Sequence, residues 1–184
     1  MNKALELEKI AKVIAKCKIC QKDKIGVSVP GEGSPDAKIV FIGEAPGKKE
    51  SVSGRPFIGP AGKLLRGMLK DVGIQESEIF ITSPVKYLPK HVTPTLDEIA
   101  HGRTHLNAQL KIINPKMVVL MGRVACLAVL EKNCSIALDH GKIIKADNLN
   151  YFLSYHPAAP LYSPKLRGVL ADDFKKLKRL INKL

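Results

Sequence analysis

The chain has 184 residues, of which 45% are hydrophobic, a composition that suits one globular domain and argues against disorder. No apolar run approaches the roughly 18 residues that a membrane span needs. Charges throughout the N-terminal segment also leave no apolar core for a secretory signal. We therefore expect a single domain over residues 1–184, located in the cytoplasm, monomeric and not associated with a membrane.

Charge is the most marked bulk property of the sequence. Thirty Lys and Arg residues against seventeen Asp and Glu residues give a formal net charge of +13 at pH 7. Such an excess bears on partners and association rates more than on fold, and nucleic acid is the first partner to consider. The charge alone does not distinguish a DNA-binding protein from a basic α/β module that binds RNA or a ribonucleoprotein.

The four cysteines favour a metal site over a disulfide framework. Two of them form Cys17-x-x-Cys20, and a chain of this length without a secretory signal is not expected to depend on disulfides. Apolar residues from Ile10 to Cys17 recur at helical spacing. The first sixteen or so residues therefore predict an amphipathic helix that runs into the cysteine pair, and residues 1–25 carry half of a metal site.

Strands and helices are predicted to alternate beyond the cysteine pair. A loop rich in Gly, Pro and Ser over residues 29–36 leads to Lys38–Gly43, a short β-branched run typical of a buried parallel strand. The elements that follow are a helix over 60–72, a strand over 79–83, a helix over 95–113, a strand over 117–121, a helix over 122–132, a hairpin or irregular edge over 136–147, a strand over 150–154 and a helix from about 164. This alternation predicts an α/β fold of three layers, α/β/α, with a central, mainly parallel four-stranded sheet.

The loop after the first predicted strand is a candidate ligand site, because ligands of parallel sheets bind at the carboxyl ends of the strands. It runs from Gly43 to Glu50 as Gly-Glu-Ala-Pro-Gly-Lys-Lys-Glu, and its glycines let the backbone approach a ligand closely. A Walker phosphate loop needs four residues between its glycines and a Ser or Thr after its Lys. Only three residues separate Gly43 from Gly47, and Lys49 follows Lys48, so the sequence argues against a nucleoside triphosphatase.

Several motifs occur in a fixed order along the chain. They are Gly43-Glu-Ala-Pro-Gly47 followed by Glu50, Gly54-Arg-Pro-Phe57-Ile-Gly-Pro-Ala-Gly62, Val85-Lys86, Thr93-Pro94 ahead of Glu98, Asn114-Pro-Lys-Met-Val-Val-Leu-Met-Gly122, and His156-Pro157-Ala158-Ala159. In order and spacing this set resembles the signatures of the family-four, iron–sulfur type of uracil-DNA glycosylases over nearly the whole chain. The resemblance implies the α/β fold of that superfamily. It also implies an enzyme that flips uracil out of DNA and hydrolyses the N-glycosidic bond to leave an abasic site.

The resemblance also implies roles for individual residues. Phe57 is expected to stack on the flipped base, and the backbone around Glu44 and Ala45 to line the base pocket. His156 is expected to donate toward the pyrimidine O2 as negative charge develops there, and Glu50 to stabilise the sugar cation or orient water. Ala45 stands where other branches carry a water-activating Asp or Asn. Electrostatic catalysis is therefore implied, with Glu44, Glu50 and His156 as its candidates.

Two positions depart from the family-four pattern. Ser83 ends the second predicted strand, where the family usually has an Asn that reads the uracil edge with a donor and an acceptor together. A hydroxyl makes only part of that pairing, which leaves open a different deaminated base or a catalytically weak protein that senses lesions. His91 stands where the family often has Asn. It is a candidate nucleophile, by similarity to the uracil-crosslinking branch, or a loop ligand.

The metal site departs as well. The resemblance implies four cysteines around a 4Fe–4S cluster, and only Cys17 and Cys20 match. The helix over 95–113 offers His101 and His105, which are four residues apart and therefore lie on one face. The two pairs form a Cys2His2 set, which is typical of tetrahedral zinc. Zinc, an iron–sulfur cluster and no metal all remain open, and a bound metal would be structural.

Basic and apolar residues near the same loops are candidates for contact with DNA. Lys48, Lys49, Lys86 and Lys90 are expected to neutralise phosphates. A further segment reads Leu161-Tyr162-Ser163-Pro164-Lys165, and its apolar tip, Leu161 or Tyr162, is expected to wedge into the base stack.

Overall fold

A computed structural model describes residues 2–91, 93–146 and 148–183. Its helices are Lys3–Lys16 (α1), Lys18–Gln21 (α2), Lys48–Ser53 (α3), Pro60–Asp71 (α4), Leu96–Ile113 (α5), Arg123–Leu130 (α6), Ile136–Asp139 (α7), Ala159–Tyr162 (α8) and Leu166–Ile181 (α9). Its strands are Lys24–Ile25 (β1), Glu32–Gly33 (β2), Ile39–Ile42 (β3), Ile79–Thr82 (β4), Leu88–Pro89 (β5), Met117–Met121 (β6), Ile143–Ala146 (β7) and Leu149–Ser154 (β8). The predicted core elements are all present, with ends that shift by a residue or two at most.

The main sheet has the strand order β2-β4-β3-β6-β8-β7. Its four inner strands, β4, β3, β6 and β8, are parallel, which confirms the predicted sheet. β7 pairs antiparallel with β8 and forms one edge of the sheet. Of the segment 136–147, predicted as a hairpin or irregular edge, the first part instead forms the short helix α7, and residue 147 lies outside the described residues. β2 adds the opposite antiparallel edge, which was not predicted because two residues carry no hydrophobic pattern. A separate small sheet joins β1 to β5.

Burial on both faces of the sheet explains why its inner strands read as continuous apolar runs. Every residue of β3, β4 and β6 is buried. Alternate residues enter opposite cores, since Val40 and Ile42 pack with residues of α5 and α6, whereas Ile39 and Phe41 pack with residues of α4 and α9. The sheet is therefore the middle layer between two helical layers.

Local sequence signals fix the ends of the helices that border the functional regions. Thr95 and Glu98 form a reciprocal capping box at the start of α5, and Asn114 ends that helix with a left-handed φ of 53°. α4 begins with Pro60 in its first turn. These signals set where α4 and α5 begin and where α5 ends ahead of β6.

The N-terminal helices pack against α5 rather than against the sheet. Ile14, Cys20 and Tyr87 form a small third core there, with Ile10 and Cys17 packed against it. The cysteine pair therefore lies beside α5. Within the described ranges, no helix combines the length and the apolar character needed to cross a membrane.

Candidate functional site

A cleft of about 420 Å³ lies at the carboxyl edge of the main sheet, bordered by the loops after β3 and β8 and by α3, α4 and α8. Most of the residues predicted for the site line it, namely Ala45, Lys48, Lys49, Glu50, Phe57, His156, Leu161 and Tyr162. Glu44, Ser83, Lys86 and His91 do not. The parallel sheet thus brings together motifs that are more than a hundred residues apart in the chain.

Phe57 adopts a backbone conformation that residues other than glycine rarely take, with φ of 52°. Arg66 donates from Nε to the Phe57 carbonyl over 3.3 Å. Gly62 lies so close to the same carbonyl that a Cβ there would overlap it, and a Cβ on Gly43 would collide with the aromatic ring. The unusual backbone and the two close glycines hold the ring in one place on the cleft wall.

Glu50 is a buried carboxylate with only 8% of its surface exposed. Its Oε1 accepts hydrogen bonds from the backbone N–H groups of Ile58 at 2.8 Å and Gly59 at 2.7 Å. These groups precede the first turn of α4, where backbone donors lack partners within the helix and negative charge is favourable. Oε2 faces Gly47, 2.8 Å from the position that a Cβ would take there. The carboxylate therefore anchors the segment that carries Phe57.

The short helix α3 explains why Glu50 faces inward. The sequence predicts Gly43 to Glu50 as a loop, whereas the chain turns helical at Lys48 and ends the helix at Gly54, with a left-handed φ of 73°. Glu50 and Ser51 form the buried side of that helix. Lys48 and Lys49, in its first turn, remain exposed at the rim of the cleft.

His156 follows β8, and its ring centroid lies 5.8 Å from that of Phe57. The backbone N–H of Ala158 donates to Nδ1 over 3.1 Å, so the neutral ring carries its proton on Nε2. Nε2 lies on the Gly43 side, 3.4 Å from the position of a Cβ on that glycine. Burial lowers the pKa of His156 to about 4, which keeps the ring neutral at pH 7. The cleft therefore holds a neutral N–H donor beside an aromatic ring.

The Glu44 carboxyl is not brought to the cleft, although the adjacent Ala45 lines it. Glu44 is partly buried, and burial raises the pKa of its carboxyl while the nearby Arg123 acts in the opposite direction. The catalytic role of this side chain therefore stays a prediction.

Ser83 is 5% exposed and its hydroxyl donates to the Val85 carbonyl over 2.8 Å. That this hydroxyl reads a base edge stays a prediction: its proton is donated within the turn after β4, and the residue lies outside the cleft lining. Among the described residues that line the cleft, none carries a side-chain amide.

The sequence predicts Lys86 as a phosphate contact, and this prediction is wrong because the side chain is buried. The residue is 1% exposed, and Nζ donates to the Pro30 carbonyl at 3.1 Å, Thr82 Oγ1 at 2.7 Å and Gln109 Oε1 at 2.7 Å. Burial lowers the pKa of Lys86 to about 7. Three acceptors match the three N–H bonds of an ammonium group, so Lys86 links β4 to α5 in the interior.

The remaining DNA-contact candidates are at the surface. Leu161 is 49% exposed and Tyr162 is 88% exposed on α8, at the rim of the cleft. Lys90 is also exposed, with Nζ 3.9 Å from the Asp23 carboxylate. These positions are compatible with the predicted contacts to phosphates and bases.

His91 lies away from the cleft. Its Nε2 is 3.3 Å from Glu98 Oε2, and the residue lines a separate cavity of about 280 Å³ beside Cys20 and His101. A nucleophile at this position stays a prediction without support from the cleft geometry, because the ring does not line the cleft where a base would be held. Nor does His91 belong to the metal-ligand cluster found among the described residues.

Cys17, Cys20, His101 and His105 form one cluster, the metal-ligand cluster, with donor atoms that all lie within 4.8 Å of one another. Cys17 Sγ is 3.2 Å from His101 Nε2. Cys17 is the N-cap of α2, and the two histidine rings, one turn apart on α5, meet edge to face with centroids 5.4 Å apart. The cluster therefore has the donors and the spacing to bind a metal.

We predict that Lys86→Met lowers the free energy of unfolding by about 1–3 kcal/mol, because three buried oxygens each lose one donor, and only the Pro30 carbonyl keeps strong ones, from Gln109 and Thr82. Urea denaturation measures the effect. The matched control is Lys70→Met on the exposed face of α4, which is expected to stay within about 0.5 kcal/mol of the wild type. A Lys86→Met protein as stable as the wild type would contradict this prediction. It would show that the free-energy cost of burying the ammonium charge equals the stabilisation from its three hydrogen bonds.

Comparisons with known proteins agree with this geometry. A family model described as the Uracil DNA glycosylase superfamily matches residues 30–184. A Type-4 uracil-DNA glycosylase of Sulfurisphaera tokodaii is 42% identical over 185 residues, which cover 95% of this chain and 84% of the relative. Type-4 uracil-DNA glycosylases of Saccharolobus solfataricus and Archaeoglobus fulgidus are 37% and 36% identical, over 96% of this chain and 87% and 94% of their own lengths. By its sequence and its fold, the chain belongs to the uracil-DNA glycosylase superfamily.

Proposed function

We propose that this protein excises uracil from DNA by hydrolysing the N-glycosidic bond and leaving an abasic site. The observation that carries the proposal is the pairing of Phe57 with His156 on the wall of the cleft. A flipped pyrimidine needs a flat surface against its face and a donor at the oxygen where charge develops, and these two residues supply both. Membership of the superfamily and the Type-4 relatives support the same reaction.

His156 acts as a neutral hydrogen-bond donor in this proposal. The Ala158 N–H occupies Nδ1, so the proton on Nε2 is the one available to the pyrimidine O2. As the glycosidic bond lengthens, the base takes the electron pair of that bond and O2 becomes more negative. The hydrogen bond from Nε2 then strengthens in the transition state, which is the condition for catalysis. The proton remains on Nε2 while the base departs as an anion.

Glu50 serves the reaction in two ways. Its Oε1 fixes the Ile58–Gly59 backbone and with it Phe57. Its Oε2 lies near Gly47, a residue of the cleft lining, and negative charge there would stabilise the positive charge that develops on the sugar or orient the attacking water.

Base choice in this cleft depends on His156 and the backbone, since Ser83 lies outside and no side-chain amide lines the described cleft. This observation favours a second candidate, a lesion-binding protein that flips or senses a damaged base without cutting. A glycosylase for another deaminated base is the third candidate, because a site that lacks a matched polar pair discriminates less strongly.

DNA is the proposed partner and meets the rim of the cleft. Lys48 and Lys49 are placed to neutralise phosphates, and the exposed Leu161 and Tyr162 to enter the base stack as a wedge. We expect the protein to act as a monomer, since one chain supplies every residue of the proposed site. We also expect it to be located in the cytoplasm.

The metal-ligand cluster is proposed to hold a structural metal, either zinc or a 4Fe–4S cluster, that ties α1 and α2 to α5. It shares no residue with the cleft, so its role is to stabilise the fold and not to take part in the reaction.

Single-turnover excision tests the proposed function. Oligonucleotides carrying uracil, hypoxanthine or xanthine are incubated with excess protein, and abasic sites are cleaved with alkali. We expect abasic product from uracil, and a rate about 10²–10³-fold lower in His156→Ala because one donor to the developing charge is lost. His91→Ala removes a histidine outside the cleft and is expected to keep the wild-type rate.

Two other outcomes of this assay would each point to a different function. Tight, salt-sensitive binding of uracil-containing DNA without abasic product would contradict excision and support the sensor. Product from hypoxanthine or xanthine alone would assign the protein to another lesion.

The pH dependence of excision tests the state of His156. Because its pKa is lowered to about 4, the neutral donor is fully present above that value and is lost only as the pH falls through it. We expect the single-turnover rate to show no inflection near pH 6.5, the ordinary pKa of histidine. An inflection near 6.5 in the wild type that disappears in His156→Gln would contradict a neutral, buried donor.

A further inference from the structure

We infer that the metal-ligand cluster of Cys17, Cys20, His101 and His105 binds a single zinc ion in place of the iron–sulfur cluster that the family-four resemblance implies. The inference deepens the proposed structural metal site. It does not depend on uracil excision, because the cluster and the cleft have no residue in common.

The donor atoms converge on one point, as a mononuclear site requires. Zinc bonds of about 2.3 Å to sulfur and about 2.0–2.1 Å to nitrogen, arranged as a tetrahedron, place neighbouring donors roughly 3.3–3.8 Å apart. All four donors here lie within 4.8 Å of one another, and Cys17 Sγ is 3.2 Å from His101 Nε2. Small side-chain adjustments are enough to close such a site around one ion.

The same convergence argues against an iron–sulfur cluster. In a 4Fe–4S cube each protein ligand bonds a different iron, so the donors must surround the cube rather than meet at a point. A Rieske-type 2Fe–2S centre does use two Cys and two His, with the cysteines on one iron and the histidines on the other. Cys17 and His101 would then lie on opposite sides of the centre, whereas their donor atoms are in contact.

The other two cysteines cannot complete a four-cysteine set. Cys126 and Cys134 are buried in the core between the sheet and α5 and α6. Cys17 and Cys20 belong instead to the small core beside α1. The histidines of α5 are the donors that face the cysteine pair.

His105 supplies a separate indication that a ligand binds here. Among the side chains in the described part of the chain, its Nε2 is the one buried nitrogen or oxygen without a hydrogen-bond partner. A buried polar atom left unpaired is costly, and native proteins rarely keep one without a ligand, ion or water. A bond from Nε2 to zinc provides the missing partner. On binding, the Cys17 and Cys20 thiols release their two protons to solvent, and the two thiolates balance the charge of Zn²⁺.

Metal analysis of the full chain tests this inference directly. The protein is produced in medium that contains both iron and zinc, and purified without oxygen so that a labile cluster would survive. We expect one zinc per chain, no acid-labile sulfide and no visible absorption. Replacement by Co²⁺ should give the intense visible bands of a tetrahedral site together with a sulfur-to-cobalt charge-transfer band.

Three variants connect the metal to the proposed donors. His105→Ala should hold well under one zinc per chain, whereas His105→Cys, which restores a donor, should retain the metal even if both variants lose stability. His91→Ala, the nearby histidine outside the metal-ligand cluster, should retain one zinc per chain.

Iron and sulfide in stoichiometric amounts would overturn the inference, and so would a wild-type protein that neither contains zinc nor takes it from a chromophoric chelator. Both results concern the metal alone and leave the excision assay to decide the proposed function.

Discussion

The Glu50 carboxylate accepts hydrogen bonds from the Ile58 and Gly59 backbone, and the geometry of the cleft depends on this pair of contacts. They satisfy two donors at the start of α4 that would otherwise be buried without partners, and they hold the chain directly after Phe57. A left-handed backbone at a residue other than glycine costs about 1–3 kcal/mol and persists only where its surroundings enforce it. Here the enforcement comes from Glu50, from Arg66 on the Phe57 carbonyl and from the close approach of Gly62.

The parallel sheet then brings His156 beside Phe57 on this wall of the cleft. β3 ends at the Gly43 loop and β8 ends before His156, and β6 lies between them in register. Hydrogen bonds continue from this edge toward the metal-ligand cluster, since Gly43 N donates to the Thr82 carbonyl and Thr82 Oγ1 accepts from the buried Lys86. Lys86 also reaches Gln109 on α5, the helix that carries His101 and His105. The metal-ligand cluster and the cleft are thus attached to one hydrogen-bonded framework without sharing residues.

Much of this arrangement could be predicted from the sequence because its signals are local. Apolar β-branched runs predict the buried strands, Thr93-Pro94 ahead of a helical segment predicts the start of α5, and the order of the motifs predicts which loops meet. Lys86 and Ser83 could not be placed in this way. The acceptors of Lys86 come from distant segments, and the hydroxyl of Ser83 is taken up by a turn, so both outcomes depend on tertiary packing. The inward orientation of Glu50 was missed for a different reason: α3 is too short to show a helical period in the sequence.

We propose that, of its two roles, Glu50 acts mainly by positioning Phe57, and the single-turnover rate of uracil excision in Glu50→Gln and Glu50→Ala tests this most directly. Glutamine keeps an oxygen that can accept from Ile58 and Gly59, whereas alanine removes it. A displacement of about 1 Å in a site can cost about 10²-fold in rate, so the account predicts that Glu50→Gln is faster than Glu50→Ala by about tenfold or more. Equal rates in two folded variants would contradict the account and assign the role of Glu50 to its charge.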